Sequence, residues 1–140
     1  MYSRSDIQLD VLEKSAEYPV QILVAPTGFG KSYIFRWAVE RRVRVAHVLP
    51  LRAVMRSVVE KGASVPGAEK FIAYQASLES LEIEAGGRRV AIARDPFLLA
   101  PHIVTTYDSL SFALLVAPTV DVNKVRAHWD VEMLSFANRF

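Results

Sequence analysis

Apolar residues recur along this chain in two patterns of spacing, one typical of strands and the other typical of helices. Runs rich in β-branched residues cover positions 20–25 and 43–49. Each run ends at a proline and is too short for a helix, so both are predicted strands. Shorter apolar runs at 71–74, 89–92 and 103–106 predict three further strands.

Segments with apolar residues three or four positions apart predict helices between these strands. In chain order the predicted helices are 5–14 with Ser5 or Asp6 as N-cap, 31–41, 51–61 stopped by Gly62, 108–115 capped by Asp108, and 125–136. Alternation of strands and helices predicts an α/β domain with a mostly parallel sheet.

Composition agrees with one globular domain and excludes several classes of protein. The chain has 140 residues, 51% of them apolar and 23% charged, which is enough apolar material for a core. It has no cysteine, so disulfide scaffolds, thiolate metal sites and cysteine nucleophiles are excluded. No signal-peptide core and no apolar run of membrane-spanning length is present, so we expect a cytoplasmic location and no membrane partner.

The charge is distributed unevenly, although the net charge is only +2. Residues 31–61 hold eight basic and two acidic side chains, a net charge of +6, which leaves −4 for the remainder. A local positive field of this kind favours an anionic ligand near this segment.

One segment in this basic region carries a specific chemical pattern, a glycine-rich loop between a predicted strand and a predicted helix. The segment is Ala25-Pro26-Thr27-Gly28-Phe29-Gly30-Lys31-Ser32. It matches the phosphate-binding loop (P-loop), with Ala25 where the first glycine is usual. The pattern is expected by chance only about 0.01 times in this length. The alternative, a glycine-rich turn before an ordinary helix with a surface lysine, is therefore disfavoured, and we predict a nucleoside triphosphate site.

Each residue type in the loop has a physical reason to be there. Gly28 and Gly30 adopt backbone angles closed to other residues and leave room for a phosphate. Successive amides then converge on the anion, assisted by the positive end of the following helix. Lys31 supplies a point charge for the terminal phosphates, and the Ser32 hydroxyl is a suitable oxygen ligand for Mg²⁺.

Ala-x-Thr-Gly-x-Gly-Lys-Ser resembles the form of this loop in superfamily-2 helicases of the DEAD/DEAH type, and other segments fall in the expected order. Gln8, 23 residues before Lys31, resembles their adenine-reading glutamine. Residues 49–54 (Leu-Pro-Leu-Arg-Ala-Val) and 103–110 (Ile-Val-Thr-Thr-Tyr-Asp-Ser-Leu) resemble two motifs that contact the nucleic-acid backbone. The combination is most similar to the CRISPR-associated helicase–nuclease of type I systems. The resemblance implies that residues 1–140 form the N-terminal portion of a RecA-like, three-layer motor domain.

The resemblance also implies roles for individual residues, each with a plainer alternative. Gln8 would read adenine, or be a solvated helix glutamine. Arg52 and Arg56, one helical turn apart, would hold single-stranded DNA, or form a solvated basic face. Thr106 would contact the same strand, or cap the helix that follows it.

The sequence lacks the acidic residues that triphosphate cleavage requires. An acid must hold Mg²⁺ and another group must orient the attacking water. In the resembled family both come from an Asp-Glu pair, but no two acidic residues are adjacent in this chain, and Asp95, preceded by Arg94, is the nearest substitute. Residues 135–140 resemble the run just before that acidic strand. We therefore expect an incomplete motor fold that binds ATP but hydrolyses almost none alone.

In the intact enzyme the missing elements would come from the remaining helicase and nuclease domains, working with a CRISPR effector complex. Without them the predicted strand 20–25 would keep an unpaired apolar edge, so we expect self-association through it.

Two further function classes fit the loop. A nucleoside or sugar kinase would use Arg88, Arg89 and Arg94 as a lid and Asp95 as the base. A non-catalytic nucleotide-binding interaction module would bind ATP without DNA and without turnover.

Overall fold

The structure, a computed structural model, describes residues 3–18, 20–76 and 80–115 and is an α/β fold. The helices are α1 (Arg4–Lys14), α2 (Tyr33–Glu40), α3 (Met55–Ala63) and α4 (Tyr107–Leu114). The strands are β1 (Val45–Leu49), β2 (Ile72–Gln75), β3 (Glu82–Ala85), β4 (Arg88–Ala91), β5 (Ala93–Arg94) and β6 (His102–Thr106). Short 3₁₀ helices cover Arg52–Val54 and Ala68–Lys70.

Four strands form a parallel sheet in the order β1-β6-β2-β5, and β3 pairs with β4 as a separate antiparallel hairpin. In the parallel sheet Leu49 is the register partner of Thr106, and Gln75 is the partner of Thr105. Because the strands are parallel, their carboxyl ends lie along one edge of the sheet, where ligands of α/β proteins usually bind.

Helices cover both faces of the parallel sheet. On one face, Ile72, Tyr74 and Val104 belong to the larger core cluster, to which α2 and α3 also contribute. On the other face, Ile103 packs with Ala113 of α4 in a second cluster. Successive strand residues point to opposite faces, so the alternation along β2 and β6 produces the two cores.

Helix α3 packs closely against its neighbours because it carries a glycine in the contact. A Cβ added at Gly62 would lie 2.6 Å from Phe35 Cε1 and 3.0 Å from Ile72 Cδ1. The predicted stop at Gly62 was therefore wrong, since the helix runs through the glycine and ends at Ala63, two residues after the predicted end at Lys61.

The predicted strand at 20–25 is not present, and this is the largest correction to the sequence analysis. The segment has no regular secondary structure, and Val20, Ile22 and Val24 are 79%, 87% and 90% exposed. A strand needs a hydrogen-bonding neighbour as well as β-branched side chains. No described strand pairs with this segment, so its β propensity alone does not make it a strand.

Three smaller differences concern pairing and caps. The strand predicted at 89–92 is β4 of the antiparallel hairpin, not a member of the parallel sheet. Helix α1 begins earlier than predicted, because Ser3 is its N-cap in a capping box with Asp6. Helix α4 is capped by Thr106, while Asp108 lies in its first turn. The predicted helix at 125–136 and the run at 135–140 lie outside the described residues.

Within the described part of the chain, every helix is too short or too polar to cross a bilayer.

Candidate functional site

The glycine-rich loop leads directly into α2, as predicted, with both of its glycines in the left-handed region. The φ angles of Gly28 and Gly30 are +81° and +87°. The amide of Phe29 donates to the carbonyl of Pro26 at 3.2 Å, and the amide of Tyr33 donates to the carbonyl of Gly30 at 2.8 Å. These two hydrogen bonds close two consecutive turns. Gly28 and Gly30 supply the positive φ angles that other residues rarely adopt.

The backbone amides of the loop are available to a ligand. Those of Thr27, Gly28, Gly30, Lys31 and Ser32 donate no hydrogen bond to another described residue. A series of unpaired N–H groups at the start of a helix is a favourable environment for an anion.

Lys31 is folded back onto its own loop. Its ammonium donates to the carbonyl oxygens of Ala25, at 2.6 Å, and Pro26, at 3.4 Å. These contacts are exposed and join a charged donor to neutral acceptors. A phosphate bound to Lys31 would replace them with a stronger bond between two charged groups.

Gln8 lies behind the loop and joins it to α2. Its side-chain nitrogen donates to the carbonyls of Phe29, at 3.2 Å, and Gly30, at 2.9 Å, and its oxygen accepts from Trp37 Nε1 at 3.1 Å. This orientation is the chemically consistent one, because the reverse would set the amide oxygen against two carbonyls. Gln8 is only 3% exposed, so it is not a solvated helix glutamine. Its contact with adenine stays a prediction.

The loop forms one wall of a cleft of about 1290 Å³. Four basic side chains line the cleft, and no acidic side chain of a described residue does. The four are Arg4, Lys31, Arg36 and Lys61, contributed by α1, the loop, α2 and α3. The cleft therefore has the charge expected of a polyphosphate site.

A second cavity, of about 350 Å³, lies against the β3–β4 hairpin and is a poorer candidate. Its lining includes Glu82 and Glu84 as well as Arg56 and Arg89, so its charges largely cancel.

Aromatic rings hold the cations of the large cleft in place. The guanidinium of Arg36 lies 5.7 Å from the Tyr33 ring centre and 5.4 Å from that of Trp37. Lys61 Nζ lies 5.7 Å from the same Tyr33 ring. Such cation–π contacts restrict the side chains without neutralising their charge.

His47 lines the same cleft and is shifted towards its neutral form. Burial, together with the positive charge of Lys61, lowers the pKa of His47 below its usual value. Its ring packs on Phe35 with centroids 5.6 Å apart. His47 therefore adds a neutral ring, rather than a fifth cation, at neutral pH.

Ser32, the predicted Mg²⁺ ligand, has a basic partner. Lys61 Nζ donates to Ser32 Oγ at 2.7 Å. The described residues hold no group of three or more His, Cys, Asp or Glu side chains placed to bind a metal ion. In this structure the Ser32 hydroxyl is paired with an ammonium group, and its predicted role as a Mg²⁺ ligand stays a prediction.

The three predicted nucleic-acid residues lie near the carboxyl edge of the sheet, but their side chains are not equally accessible. Arg52 follows β1, and Thr106 ends the neighbouring strand β6. Thr106 is 5% exposed, and its hydroxyl accepts from the Ser109 amide, as the helix-cap alternative expects. Arg56 forms an exposed ion pair with Glu60 at 2.9 Å.

Asp95, the nearest substitute for the missing acid pair, has a structural role in its own loop. Its two carboxylate oxygens accept from the amides of Phe97, at 3.0 Å, and Ala100, at 2.7 Å. A carboxylate used in this way is poorly placed to act as a catalytic base, and none of the four kinase-type residues lines the large cleft.

Sequence reasoning found the loop and Gln8, but it did not single out the cations that approach from other elements. Arg4, Arg36 and Lys61 match no motif. Only the +6 charge of residues 31–61 signalled the last two.

No protein-family model matches this chain, and no curated protein or solved structure matches it either.

Proposed function

We propose that this chain is a nucleotide-binding domain of the P-loop type, which holds ATP or ADP by its phosphates. The observation that carries the proposal is the cleft beside residues 26–32, where unpaired loop amides lie among four basic side chains and no described carboxylate. Amides placed by glycines at positive φ, with a lysine beside them, form an environment suited to phosphates.

The finer proposal is that the domain belongs to a RecA-like motor of the superfamily-2 type, similar to the CRISPR-associated helicase–nuclease. Its support is the order of the motifs together with the adjacency of β1 and β6, whose ends carry the segments containing Arg52 and Thr106. In this proposal the nucleic-acid strand crosses that edge of the sheet. Nucleotide-dependent closure against further domains would then move the strand.

A second candidate is the non-catalytic nucleotide-binding module, which the lining of the cleft favours. Hydrolysis needs a group that orients water. No carboxylate of a described residue lines the cleft, and Asp95 is bonded within its own loop. Both candidates predict binding without appreciable turnover by the chain alone.

Titration calorimetry with ATP and ADP tests nucleotide binding directly. We expect binding by the wild-type protein and at least tenfold weaker binding by Lys31→Met, because a charge-assisted phosphate contact is removed. Lys70→Met is the matched control, since Lys70 is exposed and lies outside the cleft. No heat with folded wild-type protein, or equal loss in both variants, would overturn the proposal.

Single-stranded DNA separates the two candidates. Fluorescence anisotropy at two salt concentrations should show binding that weakens as salt rises if the motor proposal is correct. Nucleotide binding without any DNA binding would favour the interaction module.

A further inference from the structure

Lys61 occupies an unusual position for a side chain that no motif singles out. It lies in the last turn of α3, 29 residues after Ser32 in sequence, and its ammonium contacts the Ser32 hydroxyl at 2.7 Å. The same ammonium faces the Tyr33 ring, and the side chain is half-buried in the wall of the cleft. Lys61 is therefore held where the loop meets α2.

Ser32 is free to make this contact because it does not cap its own helix. It is the N-cap residue of α2, but its side chain accepts no hydrogen bond from the helix backbone. A serine at this position is the one expected to bind the Mg²⁺ that accompanies a bound nucleotide. Here its oxygen is the acceptor for an ammonium group.

A magnesium ion on the Ser32 hydroxyl would have to share that oxygen with the ammonium group of Lys61. Mg²⁺ binds oxygen at about 2.1 Å, so an ion on Ser32 Oγ would lie only about 4 Å from the Lys61 nitrogen. The like charges repel at that distance. No carboxylate of a described residue lines the cleft to compensate for them.

We propose that Lys61 takes the place of the divalent cation, so that Lys31 and Lys61 together hold the polyphosphate of a nucleotide without Mg²⁺. This inference rests on the proposed nucleotide site, and it identifies Lys61 as a group that balances the negative charge of the bound polyphosphate. Lys31 approaches the phosphates from the loop and Lys61 from α3. Lys61 adds one positive charge to that of Lys31, where a bound magnesium ion would add two.

The proposal predicts how metal and nucleotide binding are related. Wild-type protein binds ADP and ATP with dissociation constants that differ less than threefold between excess EDTA and millimolar Mg²⁺. Lys61→Met has a similar shape but no charge, so it binds at least tenfold more weakly in EDTA and recovers most of the loss when Mg²⁺ is added. Lys61→Arg keeps the charge and binds in EDTA more tightly than Lys61→Met.

Calorimetry on the full chain tests this with ADP and ATP as probes, with Lys70→Met as the charge-matched control and circular dichroism as the folding check. If wild-type protein binds nucleotide only with Mg²⁺, this inference is overturned while the proposed function stands. Equal binding by wild-type protein and Lys61→Met in EDTA also overturns it. Absence of nucleotide binding under both conditions overturns the proposed function and this inference together. If Lys61→Met does not fold, the comparison of wild-type binding in EDTA and in Mg²⁺ decides the matter.

Discussion

Replacing Gln8 with alanine removes the side chain through which α1 contacts both the glycine-rich loop and α2. Three hydrogen bonds are lost, from its amide to the carbonyls of Phe29 and Gly30 and from Trp37 Nε1 to its oxygen. Gln8 is 3% exposed and lines the cleft, so the truncation opens a small space between these partners and the cleft. The loop would lose its hydrogen bonds to α1.

The size of the effect follows from these contacts. Each hydrogen bond contributes about 0.5–1.5 kcal/mol net, but the loop carbonyls lie beside the open cleft, where water restores part of the loss. We expect the free energy of unfolding to fall by about 2 kcal/mol. Gln21→Ala is the matched control, because Gln21 is exposed and its side chain makes one hydrogen bond to the described part of the chain, to the Val11 carbonyl at 3.2 Å. We expect it to cost less than about 0.5 kcal/mol.

The same variant separates two roles for Gln8. If the side chain positions the loop, binding of ATP, GTP and inorganic tripolyphosphate should weaken by a similar factor in Gln8→Ala, because all three use the same amides. Competition against a fluorescent nucleotide gives the three affinities. A loss confined to ATP would show that Gln8 reads adenine and would refute the positioning argument. An unchanged unfolding midpoint in urea would refute the stability estimate.

Two further predictions concern packing and pH. Gly62→Ala should lower the free energy of unfolding by about 1 kcal/mol or more, because its Cβ would lie 2.6 Å from the fully buried Phe35 ring. Urea unfolding checks this, and a stabilised variant would show that helix propensity outweighs the contact. The pKa of His47 is lowered in the folded state, so the unfolded chain binds more protons below about pH 6.5 and stability should fall as pH decreases through that region. His47→Gln should flatten that part of the stability profile, and identical profiles for the two proteins would contradict the assignment.

Much of the parallel sheet could be predicted from local pattern. The runs at 43–49, 71–74 and 103–106 correspond to β1, β2 and β6 within two residues at each end. The β-branched residues of β2 and β6 are buried in the sheet, where propensity and burial favour the same structure. The hairpin strand β3 was missed because Glu82 and Glu84 alternate with only one buried apolar residue, Ile83.

The error at 20–25 shows the limit of local pattern. This segment has as strong a β signal as any in the chain, yet it has no regular structure. A helix satisfies its backbone within itself, whereas a strand depends on a neighbour that its own residues do not specify. The self-association predicted for this segment stays a prediction, and its exposed valines and isoleucine are consistent with it.

The candidate site also has features that local sequence predicts and features that depend on tertiary packing. The loop, its glycines at positive φ and its lysine were predictable, because their chemistry is contained in consecutive residues. A role for Gln8 at the site was predicted only from the resemblance of its motif. Its hydrogen bonds to the loop carbonyls are seen only in the structure. The contact of Lys61 with Ser32 was not predictable.

The sequence by itself determined that this chain forms helices and strands and carries a glycine-rich loop with positive φ at its glycines, because both depend on interactions between near neighbours. Only the tertiary structure decided which strands pair, and which charges reach the loop. Those outcomes depend on how α1 and α3 pack beside α2, which brings Gln8 and Lys61 to residues more than 20 positions away. Packing of this kind is a property of the whole fold, and the spacing of residues along a short segment does not predict it.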